Sequence, residues 1–541
     1  MTGIKSFRLR LLWVFVAACV VPLAFALYTD HAWEDYYITY RASKNLATGH
    51  GLVFNLGDRL QTFTSPLGVL LPALASLLTF NSSDAAALWI FRGMCIGAFG
   101  AAATLLFAAT RRLGYPIVVS VCLFGWLVTD AKSVDFSING METAFMLAFF
   151  AYMFWATFSP APRRWLHLGL AWAGLMWTRP DSFIYIALFS AGTWLFNDPL
   201  RTGATRREWL GIFLRAGAVC TAVYLPWFVF AWGYYGSPVP QTVVAKALPS
   251  GPKTLAGFFK FLLDLPANFH KPGNTWAAVF LPSYAQFGGW PAVFGIGARC
   301  VSVLCSLVWI VPRFRTEARA ASLSFLGANL YLNYFPTFPA PWYQCLPAWL
   351  AFVTLGGILA QLFAATPVLG RRRAMIFTRV VCVSFALATL GAAGWLTLAS
   401  ARQLKAQQAL IETGTRRKIG EWLRVHADPH DAVFLEPLGY IGFFSQLKTY
   451  DYPGLSSREV TACIRRQGPG WAGLIVAQRP RWAVLRLSEI AAILQAAPGL
   501  LGDAYEPVIE FNVRAAVLKL DVRGRAYLEF DSAFIVFRLR S

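Results

Sequence analysis

The chain has 541 residues, 57% of them hydrophobic and only 14% charged, with 21 Trp and 44 Phe. That balance excludes an ordinary soluble enzyme and places the chain among multi-span membrane proteins. The net charge of +21 does not mark a nucleic-acid binder, because the cations cluster at the ends of apolar runs: Lys5/Arg8/Arg10, Arg111/Arg112, Arg163/Arg164, Arg206/Arg207, Arg313/Arg315/Arg319 and Arg371/Arg372/Arg373. Short cytoplasmic loops keep Lys and Arg in this way. Of nine Cys, only Cys463 lies in the long polar tail, so no disulfide framework is implied.

In chain order, residues 11–28 form the first apolar run. It has a basic flank and no small-residue cleavage site after it, so it reads as a retained membrane helix. It delivers residues 29–65 to the outer side. This first outer loop opens with Glu34 and Asp35 among aromatic neighbours, continues through Arg41 and Lys44 on a short predicted helix, and turns at Gly49-His50-Gly51. Residues 66–80 are short against the ~20 a span needs, which predicts an interfacial or re-entrant helix. The basic flanks then set alternate directions. Runs 84–110, 140–158, 183–196, 291–311 and 345–363 enter, and 115–129, 165–178, 209–232, 320–334 and 375–398 leave. The total is about eleven spans. Arg179-Pro180-Asp181 falls at an outer turn. The external segment 234–286 carries Pro238, Pro240, Pro249, Pro252, Pro266 and Pro272, which predict irregular structure. A second short outer loop spans 335–343.

Residues 1–400 thus read as a transmembrane domain, and 401–541 as a soluble α/β domain on the outer side. In the latter, 401–426 mixes charge with Leu, Ile and Trp at helical spacing. Residues 431–435 and 482–487 read as short buried strands, and 530–539 alternates like an edge strand. No internal repeat is present.

Most apolar spans carry almost no acid, so the pair at Glu34 and Asp35 stands out. Such a pair can serve as a general base or nucleophile at a sugar anomeric carbon, with the partner orienting it or binding a cation. It can equally face the positive end of a helix dipole. Glu142 opens a span, where an acid usually caps the helix. Trp342 and Tyr343 suit either a sugar-stacking platform or an interfacial aromatic belt. His50 suits either contact with an acceptor hydroxyl or bracing of its turn, and Asp451 reads as a turn residue. No Cys/His cluster has zinc spacing, and no glycine-rich nucleotide cradle occurs.

The text E-D-Y-Y-I-T-Y-R-x-x-x-N-L-x-x-G-H-G-L-V-F-N-x-G-D-R-x-x-x-F-T-S-P-L, beginning at Glu34, resembles the first outer loop of a family of GT-C fold glycosyltransferases. The family uses polyprenyl-phosphate sugars and includes the terminal arabinofuranosyltransferases of actinobacterial cell walls. Further matches are S-I-N-G-M-E-T at 137–143, T-R-P-D at 178–181, Y-Y-G-S-P-V-P-Q-T-V-V-A-K at 234–246 and P-W-Y at 341–343. In the tail the matches are I-G-E-W-L at 419–423, G-Y-I-G-F-F-S at 439–445 and D-Y-P-G-L at 451–455. Two acids, usually both Asp, open the loop in that family. The longer Glu34 here favours Asp35 as the principal catalytic acid.

The resemblance implies a membrane glycosyltransferase at the extracytoplasmic face of the cytoplasmic membrane. Its donor would be a polyprenyl-phosphate-linked sugar, such as a pentofuranose, and its acceptor a glycan or protein. Arg179, Lys246 and Arg41 would hold the donor phosphate, and His50, Trp342 and Tyr343 would contact sugar. A divalent cation at the acid pair is compatible with this chemistry. The rival readings are a transporter or flippase for lipid-linked sugars, and an oligosaccharyltransferase or O-antigen ligase. A transporter would need related halves and polar groups at mid-membrane, which the chain does not display.

Overall fold

The computed structural model describes residues 2–159, 161–248, 253–271, 274–336, 339–364 and 372–540. Pro249, Pro252, Pro272, Arg371 and the middle of the 335–343 loop lie outside the described residues. Each of the eleven expected spans forms a helix: α1 (Thr2–Thr29), α4 (Asp84–Arg112), α5 (Ile117–Thr129), α7 (Thr143–Phe158), α8 (Arg164–Thr178), α9 (Phe183–Leu195), α11 (Arg206–Tyr235), α15 (Ala292–Leu307), α16 (Thr316–Tyr334), α17 (Cys345–Ala364) and α18 (Arg372–Gln407). Among the described residues, 6 helices are long and apolar enough to cross a membrane by length and composition. The count of eleven therefore does not follow from helix length alone.

The shorter helices are α2 (Glu34–Ala47), α3 (Pro66–Leu78), α6 (Ala131–Asp135), α10 (Pro199–Thr202), α12 (Gln241–Ala247), α13 (Leu255–Asn268) and α14 (Thr275–Ala278). The proline-rich segment 234–286 is thus, among its described residues, more helical than its composition suggests. Pro240 precedes α12, where its fixed φ suits a helix start, although Pro266 lies inside α13.

Small residues set the packing of the bundle. A Cβ on Gly100 would meet Cys19 and Phe15, so α1 lies close on α4; Gly169 likewise admits Val219 and the Ala216 carbonyl of α11. Helix α17 is buried along most of its length, whereas α11 exposes Leu210, Leu214, Val229 and Trp232 outward, as a lipid-facing helix does.

Helix α18 continues without a break past residue 401. A π-helical stretch, Gln408–Arg417, joins it to α19 (Lys418–His426). The tail then forms a five-stranded sheet of β1 (Ala432–Leu435), β2 (Lys448–Asp451), β3 (Trp482–Arg486), β4 (Tyr505–Asn512) and β5 (Ala533–Leu539), in the order β2-β1-β3-β5-β4. β1 pairs parallel with β2 and β3, while β5 runs antiparallel to β3 and β4. Helix α20 (Leu438–Ser445) follows β1, and α21 (Arg458–Gln467), α22 (Trp471–Gln478), α23 (Leu487–Ala496), α24 (Arg514–Leu518) and α25 (Arg525–Phe530) complete the tail.

The strand expected at 530–539 is present but is not an edge. It begins at Ala533 and lies between β3 and β4, with Ala533, Phe534, Val536 and Phe537 buried. The edge on that side is β4, which the alternation did not reveal because it presents only one buried side chain, Tyr505.

Candidate active site

Helix α2 lies between the bundle and the tail. Tyr37 packs on Tyr440, Phe443 and Phe444 of α20, at ring separations of 4.3, 5.0 and 5.4 Å. Ile38 and Phe54 join the apolar core of the tail sheet. This apolar contact fixes where the first turn of α2 points. Asn55 adds polar ties, accepting from the Thr449 amide at 3.2 Å and donating to the Ser456 carbonyl at 3.2 Å.

Glu34 and Asp35 stand at the mouth of that turn, on the wall of a cavity of about 280 Å³. The rest of the wall includes Trp33, Tyr284, Arg416, Glu436, Arg486, Tyr527 and Asp531. Burial raises both acids above the usual carboxylate range. Arg416 opposes the shift at Glu34, and Lys246 opposes it at Asp35. Desolvation is the largest cause at both, and a side-chain hydrogen bond links Glu34 and Asp35. One Glu34 oxygen, Oε1, also accepts the Gly439 N–H at the start of α20. The two acids therefore play different parts. Glu34 ties the tail to the loop, while Asp35 faces the cavity under the influence of Lys246.

The other residues expected from sequence divide into two groups. Arg179, Lys246, Trp342 and Tyr343 form two cation–ring pairs, and Lys246 acts electrostatically on Asp35. The Arg179 guanidinium lies 4.1 Å from the Tyr343 ring and bonds Asp181 at 3.1 Å. Glu142 lies 3.9 Å from it and is itself within electrostatic reach of Asp35. Lys246 Nζ sits 5.7 Å from the Trp342 ring, and Trp342 meets Trp33 edge to face at 6.3 Å. The 335–343 loop thus carries one ring for each cation. Glu142 makes no capping hydrogen bond on α7, so the cap reading is corrected; its partner is Arg179.

Arg41 and His50 lie elsewhere. Arg41 is buried, and its guanidinium donates to the carbonyls of Gly442, Gln446 and Leu447 at 2.8, 3.1 and 3.0 Å. It stacks over Phe54 and has no carboxylate partner among the described residues; burial lowers its pKa to about 9. A guanidinium so engaged clamps α2 to the end of α20 and is not presented to a phosphate. His50 is exposed at the far end of α2, ~20 Å along the helix from Asp35 by helix rise, with Nδ1 2.9 Å from Thr48 Oγ1. It braces its turn. Asp451 also has a turn role: it accepts from the Gly454, Leu455 and Ser456 amides.

Four charged residues of the site were not singled out by sequence: Arg416, Glu436, Arg486 and Asp531. Arg416 bonds Glu412 at 2.8 Å and Asp531 at 2.6 Å. Arg486 bonds Asp531 and Glu489 at 2.5 Å each and Glu436 at 2.6 Å. Burial would raise the Asp531 carboxyl, but Arg416 and Arg486 together hold it below the usual range. A rule could have found three of these residues. Glu436 follows the last residue of β1, Arg486 ends the parallel neighbour β3, and Asp531 precedes β5, which starts at the same edge. The carboxyl ends of parallel strands are where open α/β sheets bind ligands.

Among the described residues, no group of three or more His, Cys, Asp or Glu is placed to hold a metal ion.

Comparison with known proteins bears on the fold and on the relatives of the chain. A family described as Domain of unknown function (DUF8728) matches residues 402–530. The terminal β-(1→2)-arabinofuranosyltransferase of Mycobacterium tuberculosis is 24% identical over 293 residues, covering 50% of this chain and 43% of that protein. Its Corynebacterium glutamicum counterpart is 27% identical over 241 residues, covering 40% of this chain and 33% of that protein. The matches therefore span less than half the length of these relatives. A crystal structure of ArnT from Cupriavidus metallidurans bound to undecaprenyl phosphate superimposes with a TM-score of 0.51 at 14% identity, covering 97% of each chain. The chain is thus a homologue of proteins named terminal β-(1→2)-arabinofuranosyltransferases, and its fold is that of the GT-C glycosyltransferases.

Proposed function

We propose that this chain is a membrane glycosyltransferase that moves a sugar, arabinofuranose by analogy with its relatives, from a polyprenyl-phosphate donor to a cell-envelope glycan. The reaction takes place at the extracytoplasmic face of the cytoplasmic membrane, with the tail on that side. One observation carries the reading: Asp35 lies on a cavity wall with Lys246 as the strongest opposing charge acting on it. The lipid phosphate bound in the ArnT structure supports the donor class.

In this mechanism the Asp35 carboxylate takes the proton of an acceptor hydroxyl. The hydroxyl oxygen bonds to C1 of the sugar as the C1–O bond to phosphate breaks, and polyprenyl phosphate leaves. Lys246 and Arg179 offset the negative charge that builds on the leaving phosphate. Trp342 and Tyr343 hold those two cations by their rings. Glu34 supplies a hydrogen bond that orients Asp35.

The test is transfer from labelled polyprenyl-phosphate arabinose in purified, membrane-embedded protein, with a pyrophosphate-linked oligosaccharide as the competing donor. The monophosphate is expected to serve and the pyrophosphate to fail; the reverse result would assign an oligosaccharyltransferase. Lys246→Met is expected to raise the donor KM about tenfold or more. It also moves the acidic limb of the pH profile upward, because a carboxylate that loses a nearby cation binds its proton more tightly. A downward or absent shift would separate Lys246 from Asp35. A divalent ion arriving with the donor phosphate is a further element of the proposal: EDTA then abolishes transfer and Mg²⁺ restores it, whereas full activity in EDTA removes the ion.

A further inference from the structure

We infer that Gln241 is a positioning residue: its side-chain amide seats α12 on the tail segment 451–461, so that the tail sets where Lys246 stands. The inference rests on the glycosyltransferase reading, in which Lys246 meets the donor phosphate.

Gln241 is the first residue of α12 and is buried. Its backbone N–H donates to the Gln61 carbonyl at 3.0 Å. Its side-chain Nε2 donates to the Gly454 carbonyl at 3.0 Å and to Thr461 Oγ1 at 3.1 Å. The amide has one orientation here, because a carbonyl only accepts and the nitrogen must face it. Thr461 gives its own proton to the Arg458 carbonyl at 2.9 Å, so its oxygen can accept. One residue is thus tied to the first loop and to the tail at once. Lys246 follows on the same helix, ~7.5 Å along its axis. With seven residues, α12 is too short to be held by its own ladder.

The seat itself is well braced. Asp451 accepts the Gly454, Leu455 and Ser456 amides, which fixes the direction of the Gly454 carbonyl. Gly454 has φ +99°, and a Cβ on it would stand 2.8 Å from Thr461 Cγ2. Glycine therefore lets the turn close on α21. A second strap leaves the same segment: Arg458 Nη2 donates to the Tyr235 carbonyl at 2.9 Å and to the Arg59 carbonyl at 3.2 Å. Tyr235 ends α11, so the tail holds the link from α11 to α12 at both ends. An apolar side chain at 241 would deprive the buried Gly454 carbonyl of this donor and release both side-chain ties.

The test uses the full-length protein in nanodiscs. Hydrogen exchange is followed on the α12 amides without donor, and donor and acceptor KM are measured in the transfer assay. Gln241→Met keeps the length of the side chain and removes both N–H groups. Exchange across 244–247 is expected to rise about tenfold or more, with α11 and α20 unchanged. The donor KM is expected to rise about three- to tenfold, while kcat and the acceptor KM hold. In Gln241→Met/Lys246→Met the donor KM stays at the level of Lys246→Met alone, because a cation that is gone cannot be misplaced. Thr461→Val acts in the same direction with a smaller size, and Thr461→Ser, which keeps the accepting oxygen, retains parental values. Unchanged exchange, multiplied effects in the double variant, or equal behaviour of Thr461→Val and Thr461→Ser overturns the inference. Should Gln241→Met fail to fold, the Thr461 pair decides. Faster α12 exchange in the variant of a protein that transfers no sugar refutes the glycosyltransferase reading and leaves the seat standing, while transfer with unchanged exchange refutes the inference alone.

Discussion

Asp35→Asn is expected to lower transfer from a labelled polyprenyl-phosphate sugar by about 10²- to 10⁴-fold, the range a positioned general base supplies. Asparagine keeps the shape and cannot take the acceptor proton. It also removes a carboxylate whose charged form burial disfavours, so the thermal midpoint is expected to stay level or rise. The combination of lost chemistry with retained folding distinguishes a catalytic role from a structural one. Glu34→Gln is the control: the amide oxygen can still accept the Gly439 N–H, and the loss of rate is expected to be smaller. An Asp35→Asn protein that transfers sugar at the parental rate would end the mechanism.

Gly439→Ala should produce the largest structural effect of any single methyl addition at the site. A Cβ there would overlap the Glu34 carbonyl oxygen and stand 2.8 Å from its Oε1. Backbone cannot yield as a flexible side-chain tip can, so α20 and α2 must separate. Overpacking of this kind costs about 1–3 kcal/mol and occasionally more, and the bonds from the Gly439 amide and around Tyr440 are strained with it. The expected result is faster proteolysis within the tail and loss of transfer, while the membrane bundle stays assembled. Detergent-resistant bundle fragments on limited digestion, beside an activity assay, would check this. Unchanged tail protection would show that the two helices are less closely packed than their backbones indicate.

Parts of this arrangement were legible in the chain and parts were not, for identifiable reasons. The acid pair, the first loop and the two short motifs at 178–181 and 341–343 are contiguous stretches, and contiguous text carries its own signature. The eleven helical segments were legible because apolar runs between basic flanks are a one-dimensional signal. The resemblance alone assigned Arg41 to the donor phosphate, whereas its partners are carbonyls some 400 residues later in the chain. The Arg416–Asp531–Arg486 network was hidden for the same reason: its members are 45 to 115 residues apart and each looks like an ordinary surface charge. Only the sheet, by bringing the ends of β1 and β3 beside the start of β5, gathers them.

The unbroken run of α18 into the tail has a mechanical consequence. The tail roofs the cavity with Arg416, Glu436, Arg486, Tyr527 and Asp531, so any movement of the tail reshapes it. A regular helix of 36 residues resists bending, because a kink gives up ladder hydrogen bonds. It therefore acts as a fixed mast, with no swivel at residue 401. The compliant joint is the wider π-helical coil at Gln408–Arg417 just above it. That coil carries Glu412 and Arg416, so any tilt of the roof would also shift the guanidinium nearest to Glu34 and couple admission of the sugar chain to the charge state of the acid pair.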